Sequence, residues 1–260
     1  MQDILSKVHA HMPYHLLPKY LEMILQRKLN LEIYFHHYAL QDLDEVKCME
    51  MAKLLTEAGL KITFHAPFMD LSPGAVDSQV REATLKRFGQ TLDMAEILRP
   101  KAIVFHSGYE KWKYALNTDI WLEKSLVTWQ PLNARAAAIG VKLAIENIFE
   151  DEPSNLKLLM EEMNSSNFGV CFDTGHFNLF SKEPLEFWMS SLKPYLIELH
   201  LHDNDKTSDQ HLPISDGTFD FTGFFGLLGD TQCIHTLEAH STESVLKSMK
   251  ALQALSPYNS

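Results

Sequence analysis

Six short apolar segments of this chain each end in, or carry near their end, a residue able to bind a metal ion. They are KITFHAP (61–67), KAIVFHSG (101–108), KLAIENI (142–148), GVCFDTGH (169–176), LIELHLHDN (196–204) and HTLEAHS (235–241). In the first four the polar group directly closes the run: His65, His106, Glu146 and Asp173. In the last two it is His200 and Glu238. The spacings are 41, 40, 27, 27 and 38 residues, each the size of one strand-plus-helix unit. A functional group at the C-terminal end of each strand is where a parallel barrel keeps its site.

Alternation agrees with this. Side chains along a strand point to opposite faces with period two. Counting back from His65, Thr63 shares its face and Phe64 and Ile62 take the other. Phe105 and Ile103, Ile145 and Leu143, Phe172 and Val170, and Leu237 occupy the corresponding large apolar face in the other strands. One face suits packing under helices. The other is small or polar and suits a barrel interior. A single polar residue at a strand end is usually an unrelated buried group, but six in phase form a pattern.

Read in order, the chain gives eight strands and about eight helices in alternation. Strand one is Val8–Tyr14, with His9 and His11 on one face; strand two is Leu31–Phe35, with Glu32 and Tyr34 on one face. Pro18 opens the first helix. Asp42 or Asp44 caps the next, which stops at Gly59. Long helices are expected over Ser78–Leu98 and Ile120–Ile139, then helices after Pro153 and Pro184, a short one at TGFFGLLGD and a final one at SVLKSMKALQAL. DTGH is expected to turn from strand into loop, and DNDKTSDQHLPISDGTFDF is the longest polar loop. The expected fold is α/β, a single (β/α)8 barrel over residues 1–260, a usual size for that fold.

Bulk properties weigh against other classes. The net charge of −11 leaves no basic stripe for nucleic acid. No apolar run is long enough to span a bilayer, and the N-terminus lacks a charged-then-apolar signal pattern. Cys48, Cys171 and Cys233 are odd in number and scattered, which argues for a reducing, cytoplasmic setting.

Two clusters extend the list of candidate ligands. His176 follows Asp173 by three residues, and Asp209-Gln-His211 falls in the long loop. The nine candidates are His65, His106, Glu146, Asp173, His176, His200, Asp209, His211 and Glu238. Five histidines and four carboxylates suit Zn²⁺, Mn²⁺ or Co²⁺ better than the oxygen-loving Ca²⁺ or Mg²⁺. Nine exceed the needs of one ion, so one to three ions are expected, or some candidates contact ligands or substrate instead. His9, His11, His36, His37 and His240 match no shared motif. His202 shares the face of His200 and is a candidate only in another register. Glu32, mid-strand, reads as a buried hydrogen-bonded group or a pocket wall. His235 and the aromatic segment Tyr109, Trp112 and Tyr114 read as pocket lining or as packing.

The segments GVCFDTGH, IELHLHDNDK with DQHLPISDG, and LEAH resemble the xylose-isomerase-like TIM-barrel superfamily over nearly the whole chain. That superfamily joins sugar and sugar-phosphate isomerases and epimerases to apurinic-site nucleases of the endonuclease IV type. Resemblance to the ketose epimerases implies one divalent ion held by Glu146, Asp173, His200 and Glu238. Glu146 and Glu238 would also be the catalytic acid and base, and His176 would bind a small carbohydrate or sugar-phosphate substrate. A substrate-binding Arg of that family falls at Lys206, and Lys lacks the planar fork of Arg. Resemblance to the nucleases implies that all nine residues hold three zinc ions for phosphodiester cleavage. Against this, FHHYALQDL (35–43) has no basic, Trp-containing DNA-contacting stretch, and Ser215-Asp216-Gly217 stands where that family has Gly-Glu-Gly.

Overall fold

A computed structural model describes residues 2–41, 44–255 and 258. Eight strands, β1 (His9–Pro13), β2 (Asn30–Tyr34), β3 (Ile62–His65), β4 (Ala102–His106), β5 (Lys142–Glu146), β6 (Phe168–Asp173), β7 (Leu196–Leu201) and β8 (Ile234–Leu237), pair in sequence order. β8 pairs back onto β1 and closes the barrel, and every pairing is parallel. The expected (β/α)8 barrel is therefore the fold.

The helices among the described residues are α1 (Gln2–Leu5), α2 (Leu17–Arg27), α3 (His37–Gln41), α4 (Glu45–Glu57), α5 (Ser78–Leu98), α6 (Thr118–Ala138), α7 (Ser154–Met163), α8 (Thr174–Phe180), α9 (Leu185–Leu192), α10 (Phe221–Leu228) and α11 (Thr242–Leu252). Local chemistry sets their ends. Asp44 Oδ1 accepts from Lys47 N at 3.2 Å and caps α4, while Asp42 lies outside the described residues. Asp77, Asn117, Asp220 and Ser241 cap α5, α6, α10 and α11 in the same way, each satisfying an amide that a helix start leaves unpaired. Gly59, at φ 71°, follows the end of α4, in the left-handed region that glycine tolerates best.

One local expectation is corrected. The DTGH segment begins a helix rather than a loop, because the Asp173 carboxylate accepts the His176 amide at 2.6 Å and nucleates α8. The N-terminal residues before β1 form the short α1, and α3 adds a turn of helix after β2.

The main core lies between sheet and helices. Outward Phe105 meets Phe88 and Trp129, outward Phe172 meets Trp188, and Phe64 and Leu199 belong to the same buried cluster. Trp129 stacks on Phe88 at 5.4 Å and meets Phe105 edge-on. Burying each such side chain contributes about 1.5–3 kcal/mol. A second, smaller apolar cluster fills the barrel floor with Ala102, Val104, Ala144 and Cys171. These small side chains leave the upper interior to polar groups.

Candidate metal centre

The C-terminal ends of the strands deliver the polar groups to one place. Glu146 ends β5, Asp173 ends β6, His200 lies near the end of β7 and Glu238 follows β8. One ligand atom from each of these four lies within 4.8 Å of all the others. Ligands that share an ion at about 2.0–2.3 Å stand about 3–4.5 Å apart, so the set fits a single divalent ion after small adjustment.

His200 shows why the arrangement suits a cation. Its Nε2 donates to Glu32 Oε2 at 3.0 Å. Its Nδ1 lies 3.1 Å from Glu146 Oε1, 3.5 Å from Glu238 Oε1 and 3.8 Å from Asp173 Oδ2. One proton on Nδ1 serves one carboxylate well, whereas three buried carboxylates need more positive charge than that. Burial opposes the charged form of His200, but its negative neighbours, among them Glu32, Glu238 and Glu146, outweigh this and hold its pKa well above the usual value. Burial likewise opposes ionisation of Glu146 and Glu238, yet the charge of His200 and the surrounding hydrogen bonds hold both well below the usual carboxylate range.

The remaining sequence candidates gather around this set. His65 Nδ1 donates to its neighbour's carbonyl, Ala66 O, at 2.8 Å, which turns Nε2 to Glu146 Oε2 at 3.3 Å. A histidine anchored in this way on one nitrogen presents the other to a ligand. His106 Nε2 lies 3.4 Å from the same carboxylate oxygen, and burial pushes its pKa down to about 3, leaving a neutral imidazole. His176 Nδ1 stands 3.3 Å from Glu146 Oε1, and its Nε2 is 3.4 Å from Asp209 Oδ2. His211 Nε2 meets Asp209 Oδ2 at 3.1 Å. The loop carrying Asp209 and His211 is held by Asp203, whose carboxylate accepts the amides of Gly217, Thr218 and Phe219 at 2.9, 3.1 and 3.1 Å. All nine candidates thus meet at the barrel mouth. Beyond the tetrad, the groups His65–His106–Glu146, Asp173–His176–His202 and His202–His211–Glu238 also bring their ligand atoms within 4.8 Å of one another.

Three further residues belong to the cluster. His202 is fully buried. Its Nε2 meets Asp173 Oδ2 at 3.0 Å, its ring stacks on His211 at 4.0 Å, and its Nδ1 has no hydrogen-bond partner. Gly175 packs so tightly against it that a Cβ there would fall 2.0 Å from His202 Cε1. His11 Nδ1 bridges Glu32 Oε1 at 3.0 Å and Glu238 Oε1 at 3.3 Å; burial opposes its charge, but the two carboxylates raise its pKa to about 9. Glu32 receives both His11 and His200, as a buried hydrogen-bonded group. A fourth residue, Glu198, lies below. Its Oε1 accepts from Thr63 at 3.1 Å and Thr236 at 2.5 Å, and burial, with the charge of Glu32, pushes its pKa up to about 8.

Other candidates lie apart from this centre. Lys206 is exposed and lines a separate depression beside Asn178 and Thr218. Tyr109 and Tyr114 pack in the loop before α6, where Tyr109 meets Trp121 at 5.0 Å, and Trp112 is 76% exposed. His235 is buried against Tyr258. His36 and His240 line the mouth cavity, whereas His37 is exposed at the start of α3. His9 sits beneath the centre, with Nδ1 3.3 Å from Thr63 Oγ1.

Fold and site together define a (β/α)8 barrel with a histidine–carboxylate cluster at its C-terminal mouth. The chain belongs to the xylose isomerase-like TIM barrel family, whose model matches residues 25–255. It is 28% identical over 170 residues to the uncharacterized protein MJ1311 of Methanocaldococcus jannaschii, covering 62% of this chain and 58% of that one. It is 31% identical over 171 residues to MJ1614 of the same organism, covering 64% of each. The matches therefore span less than two thirds of these relatives. Among solved structures, a D-tagatose 3-epimerase-like protein superposes with a TM-score of 0.81 at 23% identity, over 95% of this chain and 96% of that one. The TTHB071 protein from Thermus thermophilus, soaked with ZnCl2, superposes with a TM-score of 0.78 at 26% identity, over 96% and 98%. Among the described residues, no helix is long and apolar enough to cross a membrane.

Proposed function

We propose that this protein is a divalent-metal-dependent isomerase or epimerase acting on a sugar-like hydroxy-carbonyl compound by moving a proton next to the carbonyl. The observation that carries this is the placement of Glu146 and Glu238. They come from β5 and the end of β8, on different walls of the barrel, yet both approach His200 Nδ1, at 3.1 and 3.5 Å. Two carboxylates converging from different walls suit removal of a proton from one face of a carbon by one of them and delivery of a second proton to the opposite face by the other in its protonated form. The carboxylate that takes the proton must be ionised, which the lowered pKa of both supports, and its partner must carry a proton before it can act as the acid. To His176, at the rim between Glu146 and Asp209, we assign the holding of a substrate hydroxyl, a role its distances to those two carboxylates support. A divalent ion held by Glu146, Asp173, His200 and Glu238 would supply Lewis-acid polarisation of the carbonyl oxygen. The resemblance to a D-tagatose 3-epimerase-like structure points the same way.

A second reading, zinc-dependent phosphodiester hydrolysis, draws on the additional ligand groups around His106, His176, His202 and His211. Elemental analysis of protein purified without chelators separates the two. About one zinc, manganese or cobalt per chain goes with the tetrad and proton transfer; about two to three zinc ions per chain go with the hydrolase. On a substrate found by screening ketoses and sugar phosphates, Glu238→Gln lowers kcat by about 100-fold or more. Near wild-type turnover in that variant overturns the acid/base assignment.

A further inference from the structure

The cavity at the mouth does not end at the polar cluster. It is one continuous space of about 800 Å³ that also runs along the outer side of the barrel. Along β1 the side chains alternate, so that His9 and His11 face inward while Ala10 and Met12 face the helices. Ala10 and Met12 line this space, together with Tyr20 and Met23 of α2 and Val245 and Leu246 of α11. Leu5 and Leu29 bound it at the end of β1 remote from the mouth. The cavity therefore leaves the cluster near His11 and Glu238 and descends between α2 and α11. Its polar groups are concentrated at the mouth; Arg27, at the exposed end of α2, lies at the remote end, and between the two the walls of the slot are mostly apolar.

We infer that the substrate of this site is amphiphilic: a polar hydroxy-carbonyl head at the cluster and an aliphatic or aryl tail in the slot between α2 and α11. The inference rests on the proposed reading of the cluster as a metal-held site for such a head. Continuity is the argument for a substrate tail rather than a separate partner, because the slot opens into the cluster itself. The wall chemistry decides the rest. A free sugar extending into the slot would set its hydroxyls against Met23, Val245 and Leu246 without partners, which is unfavourable. Water there would lack the two to four polar contacts that hold a buried water. An apolar tail meets neither penalty and gains from leaving water.

The test uses two simple metal-binding probes, acetohydroxamate and octanohydroxamate, titrated calorimetrically into zinc- or manganese-loaded full-length protein. Each buried methylene tightens binding by roughly fourfold at best, so the six additional carbons should give at least about a 30-fold tighter Kd even with partial burial. Leu246→Asp should remove most of this gain, and Leu246 is 37% exposed, so the change is tolerable to the fold. Met23→Gln, on the opposite wall, provides an independent check. Equal affinity of the two probes overturns the inference while leaving the metal-site reading in place. A chain-length gain that survives in both variants places the tail elsewhere and also overturns it. If metal binds but neither hydroxamate does, the reading of the head site fails and the inference falls with it.

Discussion

Glu32 and His200 are both fully buried, come from β2 and β7, and meet through Nε2–H and Oε2 at 3.0 Å. This contact turns Nδ1 of His200 toward Glu146, Asp173 and Glu238. Glu32→Gln keeps the shape but weakens the acceptor. A group that orients a metal ligand in this way is commonly worth about 10–100-fold in metal affinity. Competition titration against a chromogenic chelator should show a loss in that range with an unchanged circular dichroism spectrum. Unaltered affinity would mean that Glu32 only fills space.

Gly175 and His202 form the second tight relationship. A Cβ at position 175 would lie 2.4 Å from His202 Nδ1 as well as 2.0 Å from Cε1. Gly175→Ala must therefore displace the ring, which breaks its contact with Asp173. The variant should lose about 1–3 kcal/mol of stability in denaturant unfolding and bind metal more weakly. A Gly175→Ala protein as stable as the parent would show that the ring has room to move.

The His11–Glu32 contact gives the metal-free protein a defined pH profile. Glu32 is lowered to about 2, since His200 and His11 together outweigh the effect of its burial. Its contribution is present above its unfolded value of 4.5 and is lost as pH falls toward 2. His11 is raised to about 9, so its contribution is complete below 6.5 and is lost as pH rises through 9. Thermal melting of chelator-treated protein should therefore decline as pH rises from about 6.5 through 9, and also as it falls from about 4.5 toward 2. A melting temperature that rises from pH 6.5 to 9 would contradict the assignment.

Much of the site is legible in the sequence because a strand carries its own record. A polar residue closing an alternating apolar run must face the opposite way from its neighbours, and this suffices for His65, His106, Glu146 and Asp173. The parts that escape it depend on closure of the ring. His11 and Glu32 look like isolated polar residues until β1 pairs with both β2 and β8, with His11 opposite Glu32 and His9 opposite Thr236. Only then do they reach Glu238 and His200. His202 carries a visible signal, its shared face with His200, but lies just beyond the end of β7. The Asp203–Leu212 bridge keeps the chain in place there, and the residues that make it are nine apart. Glu198 carries the same signal, two residues before His200, but its partners Thr63 and Thr236 come from β3 and β8 and meet it only when the barrel closes. Lys206 falls at the position that the family resemblance picks out, yet its backbone, at φ 69°, is in an exposed stretch beyond Asn204, and it lines a separate depression instead of the mouth cavity.

The most direct measurement is proton exchange. Metal-loaded protein is incubated in deuterium oxide with a panel of ketoses, sugar phosphates and alkyl-substituted hydroxy-ketones, and the carbon next to the carbonyl is followed by NMR. The account predicts deuterium entering that position on at least one compound, lost on chelation and reduced by about 100-fold or more in Glu238→Gln. No exchange on any of them with the metal fully loaded, alongside metal-dependent cleavage of a simple phosphodiester, would contradict it.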